Sequence, residues 1–266
     1  MVNLMKAGFD RVLKDRLFMV MCIIGGVFAA VNPMINKIFS QFDGLVAAQF
    51  SPMRTFSSAL SIGTLYATVL GFLMIEILFK EFSQGTIRNQ IIGGHSRSTV
   101  FAAIFAVSAI VQLGMVVLFA ALRTAVAMLL LERSGETMAV GYALQSVGYH
   151  LLTLLFLAAL TAWLWAVCRS MGTISLIYWM VALGTVLVLG LVAGIVAAAN
   201  QQNLDSFWIK LLDGFMKYNP FCYTGEIGTG TSYTTREILR YVLTPVALSA
   251  VMLLHGFLCF RKRDLK

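Results

Sequence analysis

Six long apolar runs constrain this chain more than any motif does. They cover about 17–31, 59–79, 99–131, 140–167, 173–199 and 241–260. A stretch of about 20 apolar residues is long enough to cross the hydrocarbon core of a bilayer as a helix. Within lipid every backbone N–H and C=O needs an internal partner, which only helices and closed barrels provide. The runs lack the alternating pattern of barrel strands, so they predict an all-α membrane protein with six transmembrane helices. Composition agrees, with 59% hydrophobic and 12% charged residues against roughly 25% charged in ordinary soluble domains. One transmembrane domain over 1–266 is expected, with no room for a separate catalytic one.

The third run, from Thr99 to Leu131, is interrupted only by Gln112 and Arg123. It would make a helix of roughly 50 Å, longer than a core of about 30 Å requires. A single tilted helix that leaves the lipid near Leu122 accommodates it, with Arg123 at the interface.

The net charge of +8 would suit a nucleic-acid binder if Lys and Arg shared one polar face. They are instead divided among the loops. With the N-terminus inside, segments 1–16, 80–98, 168–172 and 261–266 hold 12 of the 20 Lys and Arg. Segments 32–58, 123–137 and 200–240, longer in total, hold the remainder. This asymmetry places both termini in the cytoplasm by the positive-inside rule, and no nucleic-acid partner is expected.

Residues 1–16 read as an amphipathic helix in the membrane interface, with Met5, Phe9, Val12 and Leu13 on one stripe. In 200–240, Phe207, Trp208, Leu211, Leu212 and Phe215 recur at helical spacing and predict a short interfacial helix, ended by Asn219-Pro220. Cys22, Cys168, Cys222 and Cys259 do not suggest a disulfide framework.

The polar loop at 80–98 interrupts this pattern. It carries Glu81, then Gly85-Thr86-Ile87-Arg88, the apolar pair Ile91-Ile92, Gly93-Gly94 and Ser96-Arg97. Here, immediately after the second run, the chain resembles the membrane subunits of ABC transporters of the ABC-2 type. The amphipathic lead-in, Asn219-Pro220 before the last run and the basic ending FRKRDLK extend the resemblance along the chain.

The resemblance implies a permease subunit whose loop forms a short coupling helix docked in a separate ATP-binding subunit. Gly85 would then provide the tight turn into the helix, Thr86 an N-cap oxygen and Gly93-Gly94 its stop. Arg88 and Arg97 would meet carboxylates of the partner. It also implies two ATP-binding subunits carrying ATP and Mg, a second permease, identical or paralogous, and a bacterial cell membrane. The substrate would be amphipathic or hydrophobic, such as a small antimicrobial peptide, moved outward. No Gly-Lys pair of a phosphate-binding loop occurs, so this chain is not expected to be an enzyme or to hold a cofactor.

Two residues stand apart. Glu76 lies near the inner end of the second run, four residues before Lys80. An acid at such depth suggests an ion or proton site, but pairing with Lys80 over one helical turn is the preferred reading. His150, in the fourth run, suits either a titrating site or, preferably, a hydrogen-bonded core position. No metal is expected. Together Glu76 and His150 define the competing reading, an ion-coupled secondary transporter that needs no ATPase.

Overall fold

The computed structural model describes residues 1–42, 51–62, 64–131, 139–201, 207–229 and 232–263, and the elements in them are helices. The first, α1 (Val2–Lys14), precedes α2 (Arg16–Phe42), with Asp15 between them. A short α3 (Pro52–Ala59) leads through a turn into α4 (Leu65–Ser83), and α5 (Thr86–Ile92) follows at its end. The bundle continues with α6 (Arg97–Leu130), α7 (Val140–Val167) and α8 (Met171–Gln201). Two short helices, α9 (Phe207–Tyr218) and α10 (Pro220–Tyr223), come before the last, α11 (Thr235–Lys262).

The expectation of six spans does not hold. Among the described residues four helices are long and apolar enough to cross a membrane, namely Arg16–Ile38 in α2, α6, α7 and α11. The second run fails because it is not one helix. Its first residues form a turn, in which Leu60 N–H donates to Ser57 O, and Thr64 donates both its N–H and its hydroxyl to Ser61 O. Short hydroxyl side chains offer the backbone such local alternatives to a helix. The helix begins only at Leu65, and its last turns bring in Glu76, Lys80 and Glu81. Helix α8 covers the fifth run, and within it Met171–Ala182 counts among the described residues as a shorter apolar helix. The third run is one unbroken helix to Leu130.

Side-chain capping sets several boundaries. Ser96 Oγ accepts from Thr99 N–H at the start of α6. Thr234 and Glu237 form a reciprocal capping box at the start of α11, satisfying two donors that would otherwise be orphaned. Asn219 caps the single turn of α10 from outside, accepting from Phe221 N–H at 3.0 Å.

The core is continuous through the middle of the bundle, where Leu70, Ile75, Phe119, Leu154, Leu157, Leu160 and Tyr178 are all buried. Helix α7 is the most enclosed of the membrane-length helices, and α2 and α11 leave most of their surfaces uncovered. Valine, leucine and isoleucine on those outer surfaces, such as Ile23, Val27, Val251 and Leu254, are the side chains a lipid-facing helix requires. A polar group inside, Gln112, donates from Nε2 to Ser108 Oγ at 2.7 Å and to Thr161 Oγ1 at 3.1 Å. The second of these bonds joins α6 to α7.

The lead-in helix packs differently from its apolar stripe. Leu4 and Val12 are buried and Leu13 is 57% exposed. The face turned to the bundle is Leu4, Gly8 and Val12, one step per helical turn. A Cβ on Gly8 would stand 3.1 Å from Val107 Cγ2 of α6. Close approach of α1 and α6 at that glycine fixes the rotation of α1, overriding the position of Leu13.

Candidate functional site

The loop from Lys80 to Arg97 lies at one end of the bundle and has a defined shape. Gly85, the N-cap of α5, has φ +68°, a left-handed conformation that costs an ordinary side chain roughly 1–2 kcal/mol. The helix begins at Thr86 with no side-chain cap, so Thr86 is its first residue rather than its N-cap. At the other end Gly94 N–H donates to Ile91 O and His95 N–H to Gln90 O, with Gly94 at φ +90°. This pair of bonds is a Schellman motif, which ends a helix on a left-handed residue.

Ile87 anchors α5, being 1% exposed and packed with Leu78, Val100 and Phe101. Ile91 rests against the same cluster. The opposite side presents Arg88, Asn89 and Ile92, the last 73% exposed. Helix α5 is therefore held on one side and bare on the other.

Ion pairs tie the loop to the lead-in helix. Arg11 Nη1 lies 3.5 Å from Glu81 Oε1, and Lys80 Nζ lies 3.3 Å from Asp15 Oδ2. The other oxygen of Asp15 accepts from Leu17 N–H at 2.8 Å. Glu81 is buried; burial pushes its carboxyl above the ordinary range, and the Arg11 guanidinium pulls it partway back. Partly exposed pairs of this kind contribute about 0–1 kcal/mol each, so they fix the position of α1 more than they stabilise it.

Arg97 faces inward. Its Nη1 donates to Arg261 O at 2.7 Å and to Arg263 O at 2.8 Å, closing the C-terminal end of α11. Arg263 in turn donates from Nη1 to Trp165 O at 3.0 Å, at the end of α7. Trp165 Nε1 donates to Leu78 O on α4 at 3.0 Å. A cation suits the negative end of a helix dipole as well as its unpaired carbonyls. Through these three donors the ends of α4, α7 and α11 and the start of α6 form one connected layer beneath α5.

Glu76 and His150 do not form a common site. Glu76 stands on α4 two residues from Leu78, level with Trp165. His150 stands on α7 fifteen residues before Trp165, a separation of roughly 20 Å along the bundle at about 1.5 Å per residue. His150 is fully buried, and its Nδ1 lies 3.4 Å from Thr224 Oγ1. Its Nε2 has no hydrogen-bond partner among the described residues.

His150 leads to the opposite end of the bundle, which carries a second polar assembly. Thr224 Oγ1 is also 3.0 Å from Ser61 Oγ. Beside it Tyr149, Tyr223 and Tyr241 pack together with Ile227. Arg240 Nη2 donates to Glu226 Oε2 at 2.8 Å and to Tyr241 Oη at 2.7 Å. Sequence reading singled out no residue of this assembly except His150. The hydroxyls at Ser61 and Thr64, inside a run read as a span, were the available signal.

An all-α chain with several membrane-length helices, a polar helix clipped to one end and a hydroxyl-rich assembly at the other is a multi-pass membrane protein with an architecture capable of transport. The chain belongs to the family described as "Protein of unknown function (DUF2705)", whose model matches residues 18–266. No curated protein matches it.

Proposed function

We propose that this protein is the permease subunit of an ATP-driven exporter of the ABC-2 type. The observation that carries the reading is α5. A short helix bracketed by two left-handed glycines, with Arg88 and Ile92 turned outward, is suited to insertion into a cleft of a partner protein. Closure of two ATP-binding subunits around ATP and Mg would press on α5. The layer formed by Arg97, Arg263 and Trp165 would carry that displacement to α4, α7 and α11 together. Such a push shifts the equilibrium only if the two conformations differ in their contacts with the partner.

On this reading the chain itself is not an enzyme, and it works with a second permease, identical or paralogous. It lies in a bacterial cell membrane with α5 and both termini in the cytoplasm. Its cargo is an amphipathic or hydrophobic molecule, such as a small antimicrobial peptide. The separation of Glu76 from His150 weighs against the ion-coupled alternative, which needs both at one site.

The test is purification of the tagged chain from its own membranes, with ATP hydrolysis and intact complex mass measured. Wild type is expected to carry an ATPase whose rate rises with cargo. Arg88→Glu should retain the folded permease and lose the ATPase. A fully coupled ATPase in Arg88→Glu and in Ile92→Asp would overturn the reading.

A further inference from the structure

The packing of α1 leaves half of that helix bare. Leu4, Gly8 and Val12 face the bundle, whereas Val2 and Leu13, 77% and 57% exposed, turn away from it. With half-buried Phe9 they form one stripe at the helical repeat. Lys6, Asp10 and Lys14, all exposed, follow at four-residue steps beside that stripe. The bare half of α1 therefore carries an apolar strip edged by a mainly basic row.

The helix that follows sets the depth of this surface. Only Asp15 separates α1 from α2, whose stretch Arg16–Ile38 is long and apolar enough to cross a membrane. Met19, Val20 and Ile23 of that stretch are exposed, so the strip on α1 continues a surface that lipid covers. An apolar strip beside basic residues is the pattern of a helix lying at the headgroup boundary. The charges there are divided into two sets. Arg11 is engaged by Glu81, and Asp15 by Lys80. Lys6, Lys14 and Arg16 make no ion pair among the described residues, and Asp10 is the only other acid in residues 1–16. Three bases against one acid favour an anion, and ammonium and guanidinium groups form charge-assisted bonds to phosphate oxygens. A zwitterionic headgroup would bring a cation of its own against them.

We propose that the bare half of α1, together with Arg16, binds anionic phospholipid of the phosphatidylglycerol class in the leaflet at the α5 end of the bundle. Acyl chains cover Val2 and Leu13, and phosphates rest on Lys6, Lys14 and Arg16. Arg11 and Lys80 join the same segment to the loop that carries α5. The charge of that leaflet thereby sets how firmly α1 is held beside the loop. This binding requires no ATP-binding partner, so it stands apart from the export reading.

The experiment places the full chain in nanodiscs of phosphatidylcholine and phosphatidylglycerol in equal parts and measures, by native mass spectrometry, which lipids stay bound. Wild type is expected to retain phosphatidylglycerol about tenfold over phosphatidylcholine, since each base near a lipid surface contributes roughly fivefold. Combining Lys6→Gln, Lys14→Gln and Arg16→Gln should bring the ratio close to one. Lys6→Arg with Lys14→Arg keeps the charge and should keep the preference. Leu13→Asp, which sets a charge against acyl chains, should speed hydrogen exchange of the α1 amides about tenfold in the same nanodiscs. Equal retention of the two lipids by wild type would overturn the proposal. So would a preference that survives the triple variant; its loss in Arg261→Gln with Lys262→Gln would place the lipid at the end of α11 instead. Unchanged exchange in Leu13→Asp would mean that the strip faces water, and would overturn the proposal as well.

Discussion

The two ends of the bundle handle polar groups in opposite ways. At the α5 end, Arg97 and Arg263 reach across the fold to the last carbonyls of α11 and α7, and Arg11 and Lys80 meet Glu81 and Asp15. At the opposite end the polar groups are mainly hydroxyls and phenols that bond to one another or to local backbone, as in Ser61 with Thr224 and Ser146 with Tyr233. Charge-assisted bonds are about twice as strong as neutral ones. The first end is therefore fastened across the fold mainly by charged donors, and the second mainly by neutral ones.

The strongest way to break this contrast is Arg97→Met. It leaves the α11 carbonyls without their donor, and a loss of about 2–3 kcal/mol is expected from two hydrogen bonds to a charged group. Thermal unfolding in nanodiscs measures it, and a change no larger than that of Arg88→Met would show that the layer under α5 is not fastened as described. Thr224→Val tests the other end. It removes the partner of His150 Nδ1 and of Ser61 together, at about 1–2 kcal/mol; unchanged stability would mean that these hydroxyls do not hold the wall.

Gly85→Ala isolates backbone geometry, since a Cβ there meets nothing within 4 Å. The expected cost is about 1 kcal/mol, read by unfolding, with Gly85→Asn costing less because asparagine tolerates the left-handed region better. A stabilising alanine would contradict the turn.

The pH dependence of Glu81 sharpens the comparison further. Its folded-state carboxyl lies above the ordinary range, so the folded chain binds a proton more readily than the unfolded one. The contribution of Glu81 to folding stability is thus fully present below the ordinary carboxylate pKa and weakens as pH rises through the folded value, although its ion pair with Arg11 forms only in the ionised state. Hydrogen exchange of α1 amides, corrected for intrinsic rates, should show this weakening. Arg11→Met should make it steeper, and a flat profile in both would refute the role given to Glu81. The smallest effect belongs to Arg88→Glu on stability, within about 0.5 kcal/mol of wild type for an exposed position. A larger loss would mean that Arg88 belongs to the fold rather than to the free face of α5.

Much of the α5 end was legible in the sequence because its signals are local. Gly85 and Gly93-Gly94 bracket seven helical residues, and the glycines at 85 and 94 take the conformations that favour glycine. Ile87 and Ile91, four residues apart, share the face that packs. The direction of Arg97 was not legible, because its acceptors lie 164 and 166 residues away in sequence. The second apolar run misled in the other direction. Its average hydropathy hides Ser61 and Thr64, whose hydroxyls and neighbours make a turn where a continuous span was expected. In α1, Leu13 belonged to the apolar stripe by periodicity, yet Gly8 decided which side could approach α6.

Membrane residence and helical class were determined by the sequence alone, because apolar content and the need to satisfy backbone groups in lipid act on each segment separately. So was the existence of a helix between two glycine turns, which depends on φ at single residues. Tertiary structure alone decided where Arg97 and Arg263 attach and which polar groups converge on Thr224. Those outcomes depend on which surfaces meet, and contacts between distant helices leave no period or spacing in the chain.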